Sequence, residues 1–275
     1  MDNQINLLDQ IVENKRKEVA ERQSLYPVPL LERSIYFQSP TVSLRKYVVR
    51  TDKSGIIAEI KRQSPSRGII NAYVSVEKVS IGYMQAGASA LSVLTDKLFF
   101  GGSNEDLTMA RKYNFCPILR KDFIIHEYQI LEAKSIGADA ILLIAAVLSP
   151  AKIKEFASMA HSLGLEVLLE VHNQGELLSN LESTADLIGV NNRNLQTFEV
   201  GVKVSEELAP LIPKEFIAVS ESGLDSPQTL MKLRKLGYQG FLIGQTFMES
   251  AQPERAASQF IKEWNRLLSG NKNHD

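Results

Sequence analysis

The chain has 275 residues, 44% hydrophobic and 23% charged, a composition that suits a folded globular protein and excludes a disordered one. Its 31 Lys and Arg against 32 Asp and Glu leave a net charge of -1, so no overall field draws it to nucleic acid or an anionic membrane, and an anionic ligand needs a local site. The lone Cys116 excludes an intrachain disulfide and, with four scattered His, a thiolate zinc site, so no metal is expected and a reducing cytoplasm is the expected location.

The N-terminus, MDNQINLLDQIVENKRKEVAERQ, lacks the apolar core of a signal peptide and carries acidic residues that transit peptides avoid. Ile5, Leu8, Ile11 and Val12 lie at helical spacing and predict an amphipathic helix over 3–23, in which the run KRKEVAER reads as a solvated face. Pro27 and Pro29 end it, and short helical stretches are expected at 30–34 and 43–49. Residues 1–54 are therefore expected to form an N-terminal helical extension.

From Gly55 a regular alternation begins. The strand candidates are GIIAEI (55–60), ALSVLT (90–95), CPILRK (116–121), DAILLIA (139–145), LEVLLEV (165–171), DLIGVN (186–191), FIAVSE (216–221) and GFLIG (240–244). Helical stretches separate them, and glycine turns precede several. Continuous apolar runs of this kind imply parallel strands buried on both faces, in an open doubly wound sheet or a closed barrel. Eight near-equal units favour an α/β fold of the (β/α)8 type, a TIM barrel over 55–268, with a polar tail at 269–275. A dinucleotide-binding sheet would want G-x-G-x-x-G after its first strand, where this chain has KRQSPSRG. The longest apolar run, 138–148, contains Asp139 and is too short to span a bilayer.

In such a barrel the active site lies at the C-terminal ends of the strands. Strand 1 ends in Glu59 and Lys61, strand 3 in Lys121, strand 5 in Glu170, strand 6 in Asn191 and Arg193, and strand 7 in Glu221 and Ser222. Side chains alternate along a strand, so Glu59 and Lys61 point to one side, as do Asn191 and Arg193. Solvated loop residues or internal ion pairs would account for any one of these charges, but the repeated pattern points to function. Ser222-Gly223 after strand 7 and Gly244-Gln245 after strand 8 sit where barrels bind phosphate, and Ser64 could add a hydroxyl.

These residues lie in stretches that resemble the indole-3-glycerol phosphate synthase family of tryptophan biosynthesis: AEIKRQSPSRG (58–68), SVLTDKLFFGGSNEDL (92–107), ILRKDFIIHEYQI (118–130), LLEVH (168–172), IGVNNRNLQTF (188–198), VSESGL (219–224) and LIGQTFM (242–248). The resemblance implies a lyase that decarboxylates and dehydrates 1-(2-carboxyphenylamino)-1-deoxyribulose 5-phosphate, closing it to indole-3-glycerol phosphate without a cofactor. It further implies that Lys121 is the general acid at the ketone oxygen and that Lys61 holds the carboxylate. Glu170 then stabilises a cationic intermediate or assists dehydration, and Glu59 orients or exchanges a proton. Asn191 and Ser222 complete the expected catalytic group, with Arg193 and Glu221 positioning the anthranilate and the lysines. Ser64, Gly223, Gly244 and Gln245 are expected at the phosphate, Gln245 through its backbone N–H, and Phe99, Phe123, Leu142 and Leu195 around the aromatic ring. A lysine acid is expected to have its pKa lowered by burial and by the second lysine. The implied partner is a small phosphorylated substrate, for a monomer or dimer, with no nucleic acid or membrane. His126, His161 and His172 are set aside as structural or surface residues, and Cys116 as a buried small hydrophobe.

Overall fold

The computed structural model describes residues 6–194 and 197–271. Eight strands close into a barrel: β1 (Ile56–Ile60), β2 (Ala90–Leu94), β3 (Ile118–Lys121), β4 (Ala140–Ile144), β5 (Glu166–Val171), β6 (Leu187–Asn191), β7 (Ile217–Glu221) and β8 (Gly240–Ile243). Neighbours in sequence pair in parallel all the way round, and β1 pairs with β8 to seal the ring. The expected runs differ from these only at their ends. β3 begins at Ile118 because Pro117 has no N–H to give a ladder, although its carbonyl accepts from Leu91 N at 3.0 Å. A short hairpin, Gln63–Ser64 against Gly68–Ile69, follows β1 and has no counterpart among the expected elements.

Two apolar layers result from the alternation of side chains. Ile57, Ala90, Leu119, Leu142, Leu168, Leu187, Val219 and Leu242 fill the barrel interior, whereas Ile56, Ala58, Leu91, Ile118, Ile141, Val167 and Ile188 pack outward with the helix ring. The inward parity of each strand therefore carries on to Glu59, Lys121, Glu170, Asn191 and Glu221 at its C-terminal end.

The N-terminal segment touches both ends of this barrel. Its first helix, α1 (Leu7–Leu25), is capped by Asn6, whose side chain accepts from Asp9 N, and it lays Leu7, Leu8 and Ile11 over the mouth. Pro27 in extended conformation breaks the chain and opens α2 (Val28–Leu31). The next helix, α3 (Leu44–Val48), turns under the floor, where Leu44 and Val48 join Ile57, Ala90, Leu119 and Ala140. The close approach of this helix uses Gly240, where an added Cβ would stand 3.0 Å from the Val48 side chain. At the other terminus, Trp264 in the helix Pro253–Asn271 donates from Nε1 to Ser54 O at 2.8 Å and meets Phe241 edge-on at 5.7 Å between centroids. That tie holds the last helix against the entrance of the first strand. Among the described residues no helix is long and apolar enough to cross a membrane.

Candidate active site

A pocket opens at the C-terminal ends of the strands, with Glu59, Lys61, Lys121, Glu170, Asn191 and Glu221 in its walls. The chain alternation above explains why these six side chains converge. Five of them do so as two ion-paired groups. Lys61 Nζ donates to Glu59 Oε1 at 2.7 Å, and Glu59 Oε2 accepts from Ser92 Oγ at 3.3 Å. Lys121 Nζ donates to Glu170 Oε2 at 2.8 Å and to Glu221 Oε2 at 2.5 Å. Two glycines make the carboxylates fit: an added Cβ at Gly244 would stand 2.5 Å from Glu59 Oε1, and one at Gly189 would stand 2.3 Å from Glu221 Oε1.

The electrostatics correct one expectation. Burial works against the charge on Lys121, but Glu170, Glu221 and Glu59 outweigh it and hold the ammonium well above the ordinary lysine range. The expected lowering by a second lysine does not occur, because each lysine is faced by carboxylates. The carboxylates are held unequally. Burial raises both, yet Lys121 and His172 together bring Glu170 well below the usual range. Glu221 shares Lys121 with a like charge nearby, and burial with that repulsion pushes it up to about 7.

Around this centre the loops bring smaller groups. Asn191 Oδ1 accepts from Arg193 N at 3.0 Å and from Ser222 Oγ at 2.9 Å. Ser222 and Gly223 are consecutive left-handed residues, with φ of 65° and 71°, and turn the chain sharply after β7. A serine in that region is strained by about 1 kcal/mol, which a precisely packed turn must hold. Arg193 Nη1 donates to Ser66 Oγ at 3.0 Å, linking β6 to the loop after β1, and its Nη2 reaches Gln245 Oε1 at 3.4 Å. Gln245 also donates to Glu249 at 2.7 Å, so its side chain is engaged within the protein. Ser64, Gly223, Gly244 and Gln245 all line the pocket with Phe123 and Leu142.

Phe99 does not line it. Its backbone N–H is fixed by Asp96 Oδ1 at 2.8 Å, and the neighbouring Phe100 faces the pocket instead, 5.9 Å from Phe123 between centroids. Leu195 lies outside the described residues. Among the described residues no three His, Cys, Asp or Glu side chains are grouped to hold a metal ion.

Besides Phe100, three residues outside the expected set, His172, Lys15 and Asp122, belong to this region. His172 follows Glu170 by two positions and shares its inward parity, the same relation that joins Glu59 and Lys61. Its Nε2 stands 3.2 Å from Glu170 Oε1 and its Nδ1 3.0 Å from Glu176 Oε2. Burial disfavours the imidazolium, but these two carboxylates outweigh that and raise it to about 9. His126, by contrast, caps the helix Glu127–Ser135 in a reciprocal box with Gln129, and the partly exposed His161 meets Asp186 at 2.8 Å. Cys116 is buried, which pushes its thiol up to about 12.

Lys15 and Asp122 form the other unexpected feature. Lys15 Nζ lies 2.9 Å from Asp122 Oδ1, 3.0 Å from Asp96 Oδ2 and 2.9 Å from Glu18 Oε2, with its side chain fully buried. The KRKEVAER run is thus solvated at Lys17, 74% exposed, but not at Lys15. Ile11, Lys15 and Val19 recur every four residues and form the buried stripe of α1. Asp122 also accepts from Thr95 at 2.6 Å and from Arg120 at 3.1 Å, and Arg120 pairs with Glu132 at 2.7 Å. Arg22 pairs with Glu132 as well, so α1 is fastened to β3 and the helix after it by buried charge.

A model of the family described as indole-3-glycerol phosphate synthase matches residues 8–260. The chain belongs to the indole-3-glycerol phosphate synthase family. A relative of that name from Bacteroides thetaiotaomicron is 47% identical over 257 residues, 94% of this chain and 98% of its own. Namesakes from Thermoanaerobacter pseudethanolicus and Campylobacter hominis are 41% and 43% identical, over 94% and 88% of this chain and 98% and 94% of their own. Solved structures share the fold at low identity. Thiamine phosphate pyrophosphorylase from Pyrococcus furiosus has a TM-score of 0.57 at 14% identity, covering 81% of this chain and 99% of its own. An N-acetylmannosamine-6-phosphate 2-epimerase from Clostridium perfringens has 0.56 at 15%, covering 80% and 96%.

Proposed function

We infer that this indole-3-glycerol phosphate synthase family member is a decarboxylating lyase that closes 1-(2-carboxyphenylamino)-1-deoxyribulose 5-phosphate to indole-3-glycerol phosphate, releasing carbon dioxide and water. The observation that carries the reading is that two lysines, each against carboxylate, share one pocket with apolar Phe100, Phe123 and Leu142 and with the small-residue loops after β1, β7 and β8. A substrate that carries a benzoate, an aromatic ring and a phosphate matches that set of groups.

In this reading the phosphate is held by Ser64, Ser222, Gly223, Gly244 and the Gln245 backbone, and Lys61 with Arg193 meets the carboxylate. Lys121 gives its proton to the ketone oxygen as the ring carbon attacks. A firmly protonated donor suits this step, because the oxygen becomes a far stronger base as the C–C bond forms. Asn191 fixes Ser222 and the Arg193 backbone. Glu59 orients Lys61, while Glu170 and Glu221 orient Lys121 and are placed to exchange protons during dehydration. Carbon dioxide departs as its C–C bond electrons restore the aromatic ring.

Incubating the protein with the aminodeoxyribulose phosphate and following indole fluorescence tests the assignment. Product is expected from wild-type protein. Lys121→Ala is expected to lower kcat by about 100-fold or more while the substrate still binds. Wild-type turnover in that variant would remove Lys121 from the acid's role, and folded wild-type protein that makes no product would end the reading.

A further inference from the structure

We propose that His172, held between Glu170 and Glu176, is a positioning residue through which the active site takes up the proton each turnover consumes. This rests on the activity inferred above, whose proton balance creates the need. The substrate's carboxylate leaves as neutral carbon dioxide. Lys121 gives one proton to the ketone oxygen. Dehydration then removes a C–H proton and adds one to the departing hydroxyl, with no net change. Each cycle therefore leaves the site one proton short, on Lys121.

A row of close polar atoms runs from that point outward, in which His172 Nε2 meets Glu170 as an ion-pair contact and not as an aligned hydrogen bond. Lys121 Nζ is 2.8 Å from Glu170 Oε2, Glu170 Oε1 is 3.2 Å from His172 Nε2, and His172 Nδ1 is 3.0 Å from Glu176 Oε2. Glu176 is itself fixed, accepting from His172 N at 2.8 Å and from Asn173 Nδ2 at 2.7 Å. Side-chain exposure rises outward from Glu170 at 6% through His172 at 10% to Glu176 at 20%. His172 and Glu176 line a second, polar cavity beside the first, which Arg193 and Glu199 also face. The charged groups against the ring are thus Glu170 on β5 and Glu176 on the helix Gln174–Ser179, with Lys121 behind Glu170. Both carboxylates favour the imidazolium.

The step balances simply. The His172 Nε2–H proton passes to Glu170 Oε1, making a carboxylic acid and a neutral ring. Glu170 passes a proton to the Lys121 amine, restoring ammonium and carboxylate. The neutral ring, still protonated at Nδ1, turns about its Cβ–Cγ bond to bring the bare Nε2 to the open cavity, takes a proton from solvent there and turns back. No other bond changes.

Rapid mixing of wild type, His172→Gln and Glu176→Gln with the aminodeoxyribulose phosphate at neutral pH tests this. His172→Gln is expected to form the first equivalent of product at the wild-type rate, because Lys121 starts protonated. Later turnovers are expected to slow by about 100-fold with KM within about twofold, and added imidazole is expected to restore much of the loss. Glu176→Gln, which keeps the ring in place, is expected to shift the basic limb of the kcat–pH profile to lower pH. A His172→Gln variant with no burst and no response to imidazole, or with wild-type steady-state turnover, overturns the relay alone. An inactive wild-type protein overturns the inferred reaction and the relay with it.

Discussion

Gly189 and Glu221 compete for one space: a Cβ on Gly189 would stand 2.3 Å from Glu221 Oε1, and Glu221 in turn holds Lys121 at 2.5 Å. A methyl group at position 189 must therefore displace the Glu221 carboxylate from the place where it meets Lys121. Gly189→Ala is expected to lower kcat/KM by about 100-fold, since a misplacement of about 1 Å in a reacting group has that effect. The accompanying loss of stability is expected to be about 1–3 kcal/mol. Steady-state kinetics and urea unfolding measure the two, and wild-type kcat/KM would show that Glu221 need not stand where it does.

Glu221 also makes stability depend on pH. Its folded pKa is raised from 4.5 to about 7. Below 4.5 it is protonated in both states and contributes nothing adverse. As pH rises from 4.5 to about 7 the unfolded chain ionises first, and stability falls. Glu221→Gln removes this dependence. The variant is expected to gain on the order of 1–3 kcal/mol over wild type at pH 8 relative to pH 4.5, while losing activity. Thermal unfolding at the two pH values checks it, and an equal difference at both would refute the buried ionisation.

Lys15 neutralises Asp122 and Asp96 where none of the three is exposed. Lys15→Met leaves those carboxylates buried and short of a cation, and is expected to cost about 3–5 kcal/mol at neutral pH. The sign with pH follows from Asp122, whose carboxyl is buried yet held well below its ordinary 3.8 by Lys15 and Arg120. Its contribution is complete above 3.8 and is lost as pH falls further. The gap between wild type and variant should narrow in acid, as denaturant titrations from pH 7 to pH 3 would record. A constant gap would mean that packing, not charge, fastens α1.

Leu44 lies at the opposite end of the barrel from the charged groups, fully buried against the floor. Leu44→Ala is expected to cost about 3 kcal/mol through the cavity it leaves. Activity per folded molecule should be unchanged. A fall in kcat at temperatures well below unfolding would show that the floor also tunes the mouth.

The strands were legible because each is a short apolar run between helices, and the convergence of Glu59, Lys61, Lys121, Glu170 and Glu221 followed from alternation alone. Misreadings arose where a side chain's surroundings come from distant segments. Lys15 reads as one charge in a charged run, and its partners lie on loops about 80 and 107 residues away in sequence, a separation no local pattern reports. His172, set aside as a structural or surface histidine, lies two positions beyond Glu170, so the parity that joins Glu59 and Lys61 reaches it too. Phe99 and Phe100 are adjacent aromatics in a loop, where no period decides which one faces inward. Nothing local marks Gly189, since its purpose is set by the length of a side chain on the next strand.

The hydrogen bond from Trp264 to Ser54 joins residues 210 apart in the chain of 275, and this tryptophan is the sole one in the sequence. The protein thus contains its own optical gauge of ring closure. Indole emission from the folded state reports the join between the first strand and the last helix, whereas circular dichroism averages over every unit. A refolding experiment that follows both signals would show whether the ring forms as one event or stays open until its final segment docks.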